Sequence, residues 1–298
     1  MSEKYTLGID LGGTNIKAVL LDGQCKTLEE CSDSTRDHEG NQPWKQGVKD
    51  LFHSFQEKTG GKIDKIGISA PGLASEDNSF IAHLPNKLEG IEEFHWSEFL
   101  GKETKVLNDA HAALMAESQM GSGKGYDSII LLTLGTGVGG GVIYEGKLLQ
   151  GNKGRAGHFG HISVSNNRVR SIVGTPGTLE NAIGETTVKE RSYGRYQSTK
   201  DLVEAYRAGD TFATLIWLRS LQQLTRGIVS LINAFSPDIV IIGGGITKAG
   251  DALFDPLNDF MDVYEWRPGG FKTPIVRAEL GDYSGAVGAG VFAMKGAG

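Results

Sequence analysis

Short apolar runs alternate with amphipathic stretches along the chain. Runs such as YTLGID at residues 5–10 and IVIIG at residues 239–243 have the length and β-branched content of buried strands. Stretches such as 43–60 and 211–236 repeat their apolar residues at the three- and four-residue spacing of a helix. The alternation of the two patterns predicts an α/β fold.

Two glycine-rich turns each join a pair of apolar strands. The first hairpin covers residues 5–22 and the second covers residues 128–144. Because the two segments resemble each other, we expect two related halves. The expected domain limits are 1–119 with a closing helix at 284–298 for the smaller domain, and 120–283 for the larger one.

A third pattern predicts a strand that runs directly into a helix. It is TKVLNDAHAALMAESQMG at residues 104–121, and the change from strand to helix falls at Asn108 and Asp109. Asparagine and aspartate are good helix caps, so this pair has a structural interpretation whether or not it carries chemistry.

Composition and charge exclude several classes of function. The formal net charge is -6 and no run of lysines and arginines could follow a phosphodiester backbone, so we expect no nucleic-acid partner. No apolar run approaches the length of a membrane span, so no membrane partner is expected either. With only two cysteines, Cys25 and Cys31, a disulfide framework is not expected and a cytoplasmic location fits.

The glycine turns suggest a phosphate site. Glycines allow a sharp turn that exposes consecutive N–H groups, and such groups form a concavity that binds anions. Thr14 and Thr136 add a hydroxyl to each turn, and Asp10 stands where a carboxylate could hold Mg²⁺ through water. A hairpin turn with nothing bound is the alternative for either loop alone. Lys17 is expected to be a solvated strand residue.

Five motifs resemble, in order, those of the ROK family: GIDLGGTNIKAVLLD, GISAPG, LNDAHAALMAE, LTLGTGVGGGVI and INAFSPDIVIIGGGI. The resemblance covers nearly the whole chain. It implies an actin-like (ribonuclease H-like) fold of two α/β domains around a cleft, and transfer of the γ-phosphoryl of ATP to a sugar hydroxyl. Another branch of the family consists of repressors with an N-terminal DNA-binding segment. Because the first strand begins at Tyr5, we expect the kinase branch.

The resemblance also implies roles for single residues. Asp109 would be the general base that accepts the proton of the attacking sugar hydroxyl, with ATP and Mg²⁺ as cofactors. Sugar-binding roles are implied for Gly72, Asn108, His158, His161 and Glu180. Nucleotide-binding roles are implied for Asp10, Gly12, Gly13, Thr14, Gly135, Thr136, Gly137, Gly243, Gly244 and Gly245.

The chain departs from the family pattern at the zinc site. Many relatives have a glutamate at the position of His158 and a histidine at that of His161, followed by three cysteines that bind zinc with the histidine. Here the cysteine positions hold Ser171, Val173 and Thr178. Since zinc takes about four ligands, mostly thiolate or imidazole, we expect no zinc site.

Three interpretations of the histidine pair stay open. His158 and His161 could bind another metal with His83 or His111, could be structural residues bonded to backbone carbonyls, or could contact the sugar. The last is the leading hypothesis. Histidine in place of glutamate offers different donors and acceptors to hydroxyls, so glucose is not simply carried over from the relatives, and the substrate could be another hexose, an amino sugar or something more acidic.

Two functions therefore remain. The first is an ATP-dependent sugar kinase, which the presence of Asp10, both glycine turns and Asp109 favours. The second is a catalytically silent sensor or regulatory protein of the same fold, which His158 and the missing cysteines would suggest. The resemblance also implies a homo-oligomer, with a dimer as the expected form.

Overall fold

The structure is a computed structural model that describes residues 4–36, 39–85 and 87–296, with the backbone alone for Asn41 and Gln42. The strands are β1 (Tyr5–Leu11), β2 (Asn15–Leu21), β3 (Thr27–Ser34), β4 (Ile63–Ala70), β5 (Leu73–Ala74), β6 (Ile81–His83), β7 (Thr104–Asn108), β8 (Ile129–Leu134), β9 (Val138–Tyr144), β10 (Lys147–Leu148), β11 (Ile239–Gly243) and β12 (Ile275–Arg277). The α-helices are α1 (Asn41–Lys58), α2 (Trp96–Leu100), α3 (Asp109–Met120), α4 (Leu179–Ile183), α5 (Val188–Arg191), α6 (Thr199–Arg207), α7 (Thr211–Phe235), α8 (Asp251–Tyr264) and α9 (Ser284–Lys295).

The chain divides into two compact units. The first contains Met1–Gly125, Gly146–Ala156 and Glu279–Gly298, and the second contains Tyr126–Glu145 and Gly157–Ala278. The last helix, α9, belongs to the first unit. The segment 146–156 lies in the first unit, whereas the expected limits assigned it to the second.

The first unit is built on a mixed sheet of order β3-β2-β1-β4-β7. Strand β1 pairs antiparallel with β2 and parallel with β4, which pairs parallel with β7. Strands β1 and β4 are buried along most of their length, as expected for strands covered on both faces. The first predicted hairpin is therefore confirmed.

Helix α9 packs closely on this sheet and on α3. A Cβ atom at Gly67 of β4 would lie 1.9 Å from the carbonyl oxygen of Ala289, and one at Gly288 would lie 1.6 Å from that of Ala112. Only glycine fits at such distances, so these positions let α9 approach the sheet on one side and α3 on the other. Helix α3, which begins at Asp109, is thereby fixed in the unit.

Two polar contacts tie the segment 146–156 to the first unit. The imidazole Nε2 of His111, a side chain only 2% exposed, lies 2.9 Å from the carbonyl oxygen of Ala156. The amide of Asn78 donates to Gln150 Oε1 at 2.8 Å. His111 therefore has a structural contact with the backbone.

Glu117 anchors the end of α3. It is 1% exposed, and its Oε1 accepts hydrogen bonds from the backbone N–H groups of Glu279 and Leu280, both at 2.9 Å. Its Oε2 accepts from the backbone N–H of Ser122, also at 2.9 Å. One buried carboxylate thus holds the segment that follows α3 and the segment that leads to α9.

The second unit repeats the same strand pattern. Its sheet has β9, β8, β11 and β12 side by side, with an antiparallel hairpin of β8 and β9 and parallel pairing of β8 with β11 and of β11 with β12. The long helix α7 covers this sheet together with α8, and the indole N–H of Trp217 donates to the carbonyl oxygen of Ala252 at 2.7 Å. The two units therefore have the same order and direction of strands.

Two sequence-wide expectations concern the membrane and the cysteines. No helix within the described ranges is long and apolar enough to cross a bilayer. Cys25 is buried and Cys31 is half-buried, and both are free thiols.

Candidate active site

Asp10 lies near the end of β1, next to β4. It is in register with Ser69 of β4, and the Ser69 hydroxyl donates to Asp10 Oδ1 at 2.7 Å. Ser69 is completely buried, and a Cβ atom at Gly285 of α9 would lie 2.7 Å from the Asp10 carboxyl carbon. The Asp10 carboxyl is therefore held from two sides.

The Asp10 carboxyl has a perturbed acidity. Burial, the largest cause, raises its pKa from the ordinary 3.8 to about 6, and the nearby Asp109 adds to the rise, while the hydrogen bond from Ser69 and the charge of Lys17 oppose it. Two carboxyl groups thus influence each other within the first unit, an arrangement often found at functional sites.

Asn108 and Asp109 mark the junction of β7 and α3, as the sequence predicts. The Asn108 side chain caps the helix, because its Oδ1 accepts from the backbone N–H groups of Ala110 at 3.0 Å and His111 at 3.3 Å. Its amide donates to the carbonyl oxygen of Gly72 at 2.9 Å. The Asn108 side chain also hydrogen-bonds to the Asp109 carboxyl, which lowers the pKa of that carboxyl and so opposes the effect of burial.

Asp109 is the first residue of α3 and is accessible to solvent. Desolvation by neighbouring protein raises the pKa of its carboxyl, opposed mainly by the backbone N–H of Ala110, which lies 2.8 Å from Oδ1. A carboxylate that can be reached from solvent and has a raised pKa is a suitable proton acceptor.

The first glycine turn, residues 12–14, lies between β1 and β2. The Gly12 N–H donates to the carbonyl oxygen of Asn15 at 3.1 Å, and the Gly12 carbonyl accepts from the Thr35 hydroxyl at 2.6 Å. Gly13 and Thr14 are exposed. The turn is therefore closed by Gly12, while the next two residues present their backbone to the surface.

Lys17 is not a freely solvated strand residue. It is half-buried, and its ammonium donates to the carbonyl oxygen of Asp282 at 2.9 Å. Lys17 lies in β2, as expected, and the sequence could not indicate this contact because the partner is 265 positions away along the chain.

The second glycine turn, residues 135–137, lies beside a cavity of the second unit. This cavity has a volume of about 540 Å³, and Gly135, Thr136 and Gly245 are among its lining residues. Gly243 ends β11, and Gly244 has a φ of 87° and lies so close to the backbone of Leu134 that no side chain would fit. Of the three glycines in this run, Gly245 is thus the one that lines the cavity.

The structure adds cavity residues that the sequence did not suggest. The cavity is lined by the apolar side chains of Val203 and Ile246. Its charged and polar lining residues are Glu185, Thr199, Lys200, Glu204, Arg207 and Lys248. The hydroxyl of Thr199 is buried and has no hydrogen-bond partner among the described residues. Four of these positions, 200, 203, 204 and 207, lie on one face of α6. This helical spacing is the one feature of the sequence that could have indicated a shared site.

The histidine pair and Glu180 also lie in the second unit. The rings of His158 and His161 are 6.5 Å apart and nearly parallel, at an angle of 9°. The Nδ1 of His161 is buried without a partner in the described part of the chain. Glu180 Oε2 accepts from the backbone N–H of Val138 at 3.1 Å, and a Cβ atom at Gly137 would lie 2.2 Å from the same oxygen. Glu180 therefore fixes the second glycine turn.

The side chains that could bind a metal do not cluster in the described part of the chain. Over residues 4–36, 39–85 and 87–296, no group of three or more histidine, cysteine, aspartate or glutamate side chains is arranged to hold a metal ion. The positions of the relatives' cysteines have other surroundings, since Val173 is 54% exposed and Thr178 caps α4 through a bond from the Asn181 N–H at 3.3 Å. His83 lies 3.3 Å from Glu92 instead.

Replacing Asp10 by asparagine is expected to stabilise the protein without ligands. Because the folded-state pKa of Asp10 is about 6, above the ordinary 3.8, the carboxyl favours folding only when protonated. Its ionisation costs stability as the pH rises through 6, and asparagine avoids that cost while it can keep the bond from Ser69. The expected gain in unfolding free energy is about 1 to 3 kcal/mol at pH 8.

Urea denaturation at pH 8 and pH 4.5 checks this expectation. The gain should be full at pH 8 and should shrink at pH 4.5, where the carboxyl is largely protonated in the folded protein. The exposed Asp64, replaced by asparagine, is the matched control. An equal gain at both pH values would contradict the assignment of the effect to ionisation.

Two α/β units with the same strand pattern, each carrying a glycine turn in its first hairpin, define the actin-like fold. The chain belongs to the ROK family, whose family model matches residues 6–295.

Individual relatives support this assignment. The glucokinase of Thermotoga maritima is 32% identical over 283 residues, which are 87% of each chain. Among solved structures, the ROK hexokinase of Thermus thermophilus is 28% identical, with a TM-score of 0.84 and 97% of each chain covered. A ROK family glucokinase of Streptomyces griseus, solved in complex with glucose and AMPPNP, is 27% identical, with a TM-score of 0.77, and covers 98% of this chain and 100% of its own.

Proposed function

We propose that the protein is an ATP-dependent sugar kinase that transfers the γ-phosphoryl of ATP to a hydroxyl of a hexose or hexose derivative. The observation that carries this proposal is the cavity lined by Gly135, Thr136 and Gly245, three residues that the sequence had assigned to a nucleotide. The similarity to glucokinases, one of them solved with glucose and an ATP analogue, supports the same function.

ATP would bind in this cavity of the second unit. Its apolar side, which includes Val203 and Ile246, suits a base, and the basic residues Lys200, Arg207 and Lys248 suit phosphates. Gly137 belongs to the same turn, whereas Gly243 and Gly244 would act by shaping the backbone around Gly245. In the first unit, Gly12, Gly13 and Thr14 would contribute the second phosphate-binding turn.

Asp10 fits a role in holding Mg²⁺ through water. Only its Oδ1 has a hydrogen-bond partner, Ser69, among the residues described, so Oδ2 remains for a water ligand. Carboxylate oxygens are the ligands that this hard cation prefers, and bound Mg²⁺ would neutralise charge on the phosphates.

Asp109 would act as the general base. Its carboxylate is accessible and has a raised pKa, so it can accept the proton of a sugar hydroxyl as that oxygen attacks the phosphoryl group. The side chain of Asn108, which lies beside this base and bonds to Gly72, would hydrogen-bond to a neighbouring sugar hydroxyl. Gly72 would shape the site, since its φ of 99° and its bond to Asn108 fix that amide.

His158, His161 and Glu180 would contact the sugar. The unpartnered Nδ1 of His161 is available as a donor or acceptor, and Glu180 keeps one carboxylate oxygen beyond its bond to Val138. We further propose a cytoplasmic enzyme that forms a dimer. The two free cysteines support the location, and the exposure of Val263, Trp266 and Phe271, all above 70%, supports association of copies.

Replacing His158 by glutamate is expected to change the preference among sugars. Glutamate accepts hydroxyl protons with two oxygens, while neutral histidine has one donor and one acceptor. The ratio of kcat/KM between two hexoses that differ at one hydroxyl should change by about tenfold or more. The matched control is the exposed His53 replaced by glutamate. An unchanged ratio would remove His158 from the sugar site.

The kinase proposal is tested by ADP release in a coupled assay with Mg·ATP. The panel contains hexoses, amino sugars and N-acetylated sugars. We expect activity on at least one of them, with the phosphorylated sugar identified by mass. Absence of activity across the panel from a folded protein that binds ATP would contradict the proposal and favour the sensor function.

A further inference from the structure

A second cavity of the second unit lies apart from the proposed nucleotide cavity. It has a volume of about 360 Å³, and its walls are the loop 165–177 and residues of α4, α5 and α7. It shares no lining residue with the cavity around Gly135. Its size falls at the lower end of the range for small-molecule sites, which is roughly 300 to 1,000 Å³.

The lining of this cavity is polar and carries a positive excess. The lining contains two guanidinium groups, those of Arg191 and Arg219, and one carboxylate, that of Glu190. In the described part of the chain, the arginine ion pairs involve Arg195 and Arg267, and neither cavity arginine takes part in one. Burial lowers the pKa of Arg191 to about 10, and the charge of Glu185 opposes this change. Because neither arginine has a carboxylate in direct contact among the described residues, an incoming anion would stabilise the buried guanidinium further.

Arg191 has a structural role that leaves part of its guanidinium unused. Its Nη1 donates to the carbonyl oxygen of Gly184 at 2.7 Å and to the Thr187 hydroxyl, so it caps the end of α4. Its Nη2 makes only a long bond of 3.4 Å to the carbonyl oxygen of Ile183, and its Nε is buried without a partner in the described residues. The cap therefore does not account for the Nε and Nη2 edge.

An arginine edge of this kind is able to bind an oxyanion. The N–H groups on Nε and Nη2 point in parallel, which is the fork that binds two oxygens of a carboxylate or phosphate. Further polar side chains in the lining, those of Asn167, Asn181, Ser220 and Gln223, could bond to hydroxyls of the same molecule. The apolar side chain of Ile216 also lines the cavity, and a small carbon skeleton could pack against it.

We propose that this cavity binds a small phosphorylated metabolite, with Arg191 and Arg219 on the phosphoryl oxygens and the amide side chains on the remaining hydroxyls. The site is separate from the proposed kinase site. Its ligand is defined by the phosphoryl group, which inorganic phosphate and a sugar phosphate share.

Calorimetric titration of the full chain tests the proposal. The probes are inorganic phosphate and glucose 6-phosphate, each added to protein saturated with AMPPNP and glucose so that the proposed substrate sites are filled. Binding of either probe with one additional site per chain supports the proposal. If glucose 6-phosphate binds more tightly than inorganic phosphate, the sugar part of the probe also contacts the cavity.

Variants locate the site. Replacing the exposed Arg219 by glutamine should weaken the binding of the probes about tenfold, the loss expected for one charge-assisted hydrogen bond. Arg191→Lys, which keeps the charge but loses the fork, should do the same. Arg226→Gln, at another exposed arginine of α7, is the matched control and should leave binding unchanged.

Two outcomes would overturn the proposal. One is that neither probe binds to the natural chain. The other is that Arg219→Gln binds the probes with the same affinity as the natural chain. If Arg191→Lys does not fold, Arg219→Gln decides alone. Sugar-kinase activity of Arg219→Gln should stay within about twofold of the natural chain, as for a surface substitution. Failure of the kinase proposal would leave this titration unaffected, because the two sites share no lining residue.

Discussion

Asp109→Asn is expected to lower kcat for sugar phosphorylation by about 10² to 10⁴-fold, the contribution typical of a general base. Asparagine has the same shape as aspartate but cannot accept the hydroxyl proton. It can still accept the bond from the Ala110 N–H, which is 2.8 Å from Asp109 Oδ1. The start of α3 and the cap from Asn108 should therefore survive the substitution.

The measurement compares kcat of the variant and the natural chain in the coupled assay, with thermal unfolding as a check of the fold. Asp251, the first residue of α8, is the matched control, because Asp251→Asn changes a carboxylate at the same helical position away from the site. A variant of Asp109 with near-normal kcat would remove this residue from the role of base.

The pH dependence of the kinase activity is a second, independent test of Asp109 as the general base. The base must be ionised to accept a proton, and desolvation raises the pKa of Asp109 above its usual range. Activity of the natural chain should therefore be lost as the pH falls through that raised pKa, at a higher pH than for an ordinary aspartate. The residual activity of Asp109→Asn should lack the limb that belongs to Asp109 and keep only that of Asp10, whose pKa is also raised.

Glu117→Gln is expected to lower the free energy of unfolding by about 2 to 4 kcal/mol, the cost of leaving buried donors without their acceptor. Glu117 is buried, and its two oxygens accept three backbone N–H groups, those of Ser122, Glu279 and Leu280. An amide has one oxygen and one NH₂ group, so at least one of these donors would face another donor.

Urea denaturation at pH 7 measures this loss. The exposed Glu57 of α1, replaced by glutamine, is the control for the change of charge on a helix. The expected pattern is a large loss for Glu117→Gln and a change within about 0.5 kcal/mol for the control. A loss below 1 kcal/mol at Glu117 would mean that water or a neighbouring group replaces the carboxylate as acceptor.

Local signals were sufficient for much of the fold. The two hairpins were predictable because glycine turns stood between alternating apolar runs, and the structure has them at β1–β2 and β8–β9. The start of α3 was predictable because Asn108 is a strong capping residue at the end of an apolar strand. Each of these features depends on residues that are close together in the sequence.

Contacts between distant residues were not predictable from one sequence. Ser69 and Asp10 are 59 positions apart, and Glu117 is 162 positions from Glu279. Nothing in the local pattern around Ser69 or Glu117 indicates a buried partner, since serine and glutamate are ordinary surface residues. The same reason applies to the segment 146–156, whose attachment to the first unit depends on His111 and Asn78.

The run Gly243–Gly245 shows where a local pattern is ambiguous. All three glycines were assigned to the nucleotide on the resemblance, yet Gly244 is required by its close approach to Leu134, and Gly245 lines the cavity. The sequence does not distinguish a glycine required by close backbone packing from a glycine that lines a binding cavity. The structure distinguishes them by the atoms that surround each position.

The return of α9 to the first unit has a consequence for synthesis on the ribosome. Because translation proceeds from residue 1, all strands of the first sheet emerge long before residues 284–295, which pack against β1, β4 and α3. The second unit, whose last strand ends at Arg277, emerges completely before that helix does. The first half to be translated is therefore the last to be finished, and a nascent chain exposes the face of β4 around Gly67 until its final helix arrives.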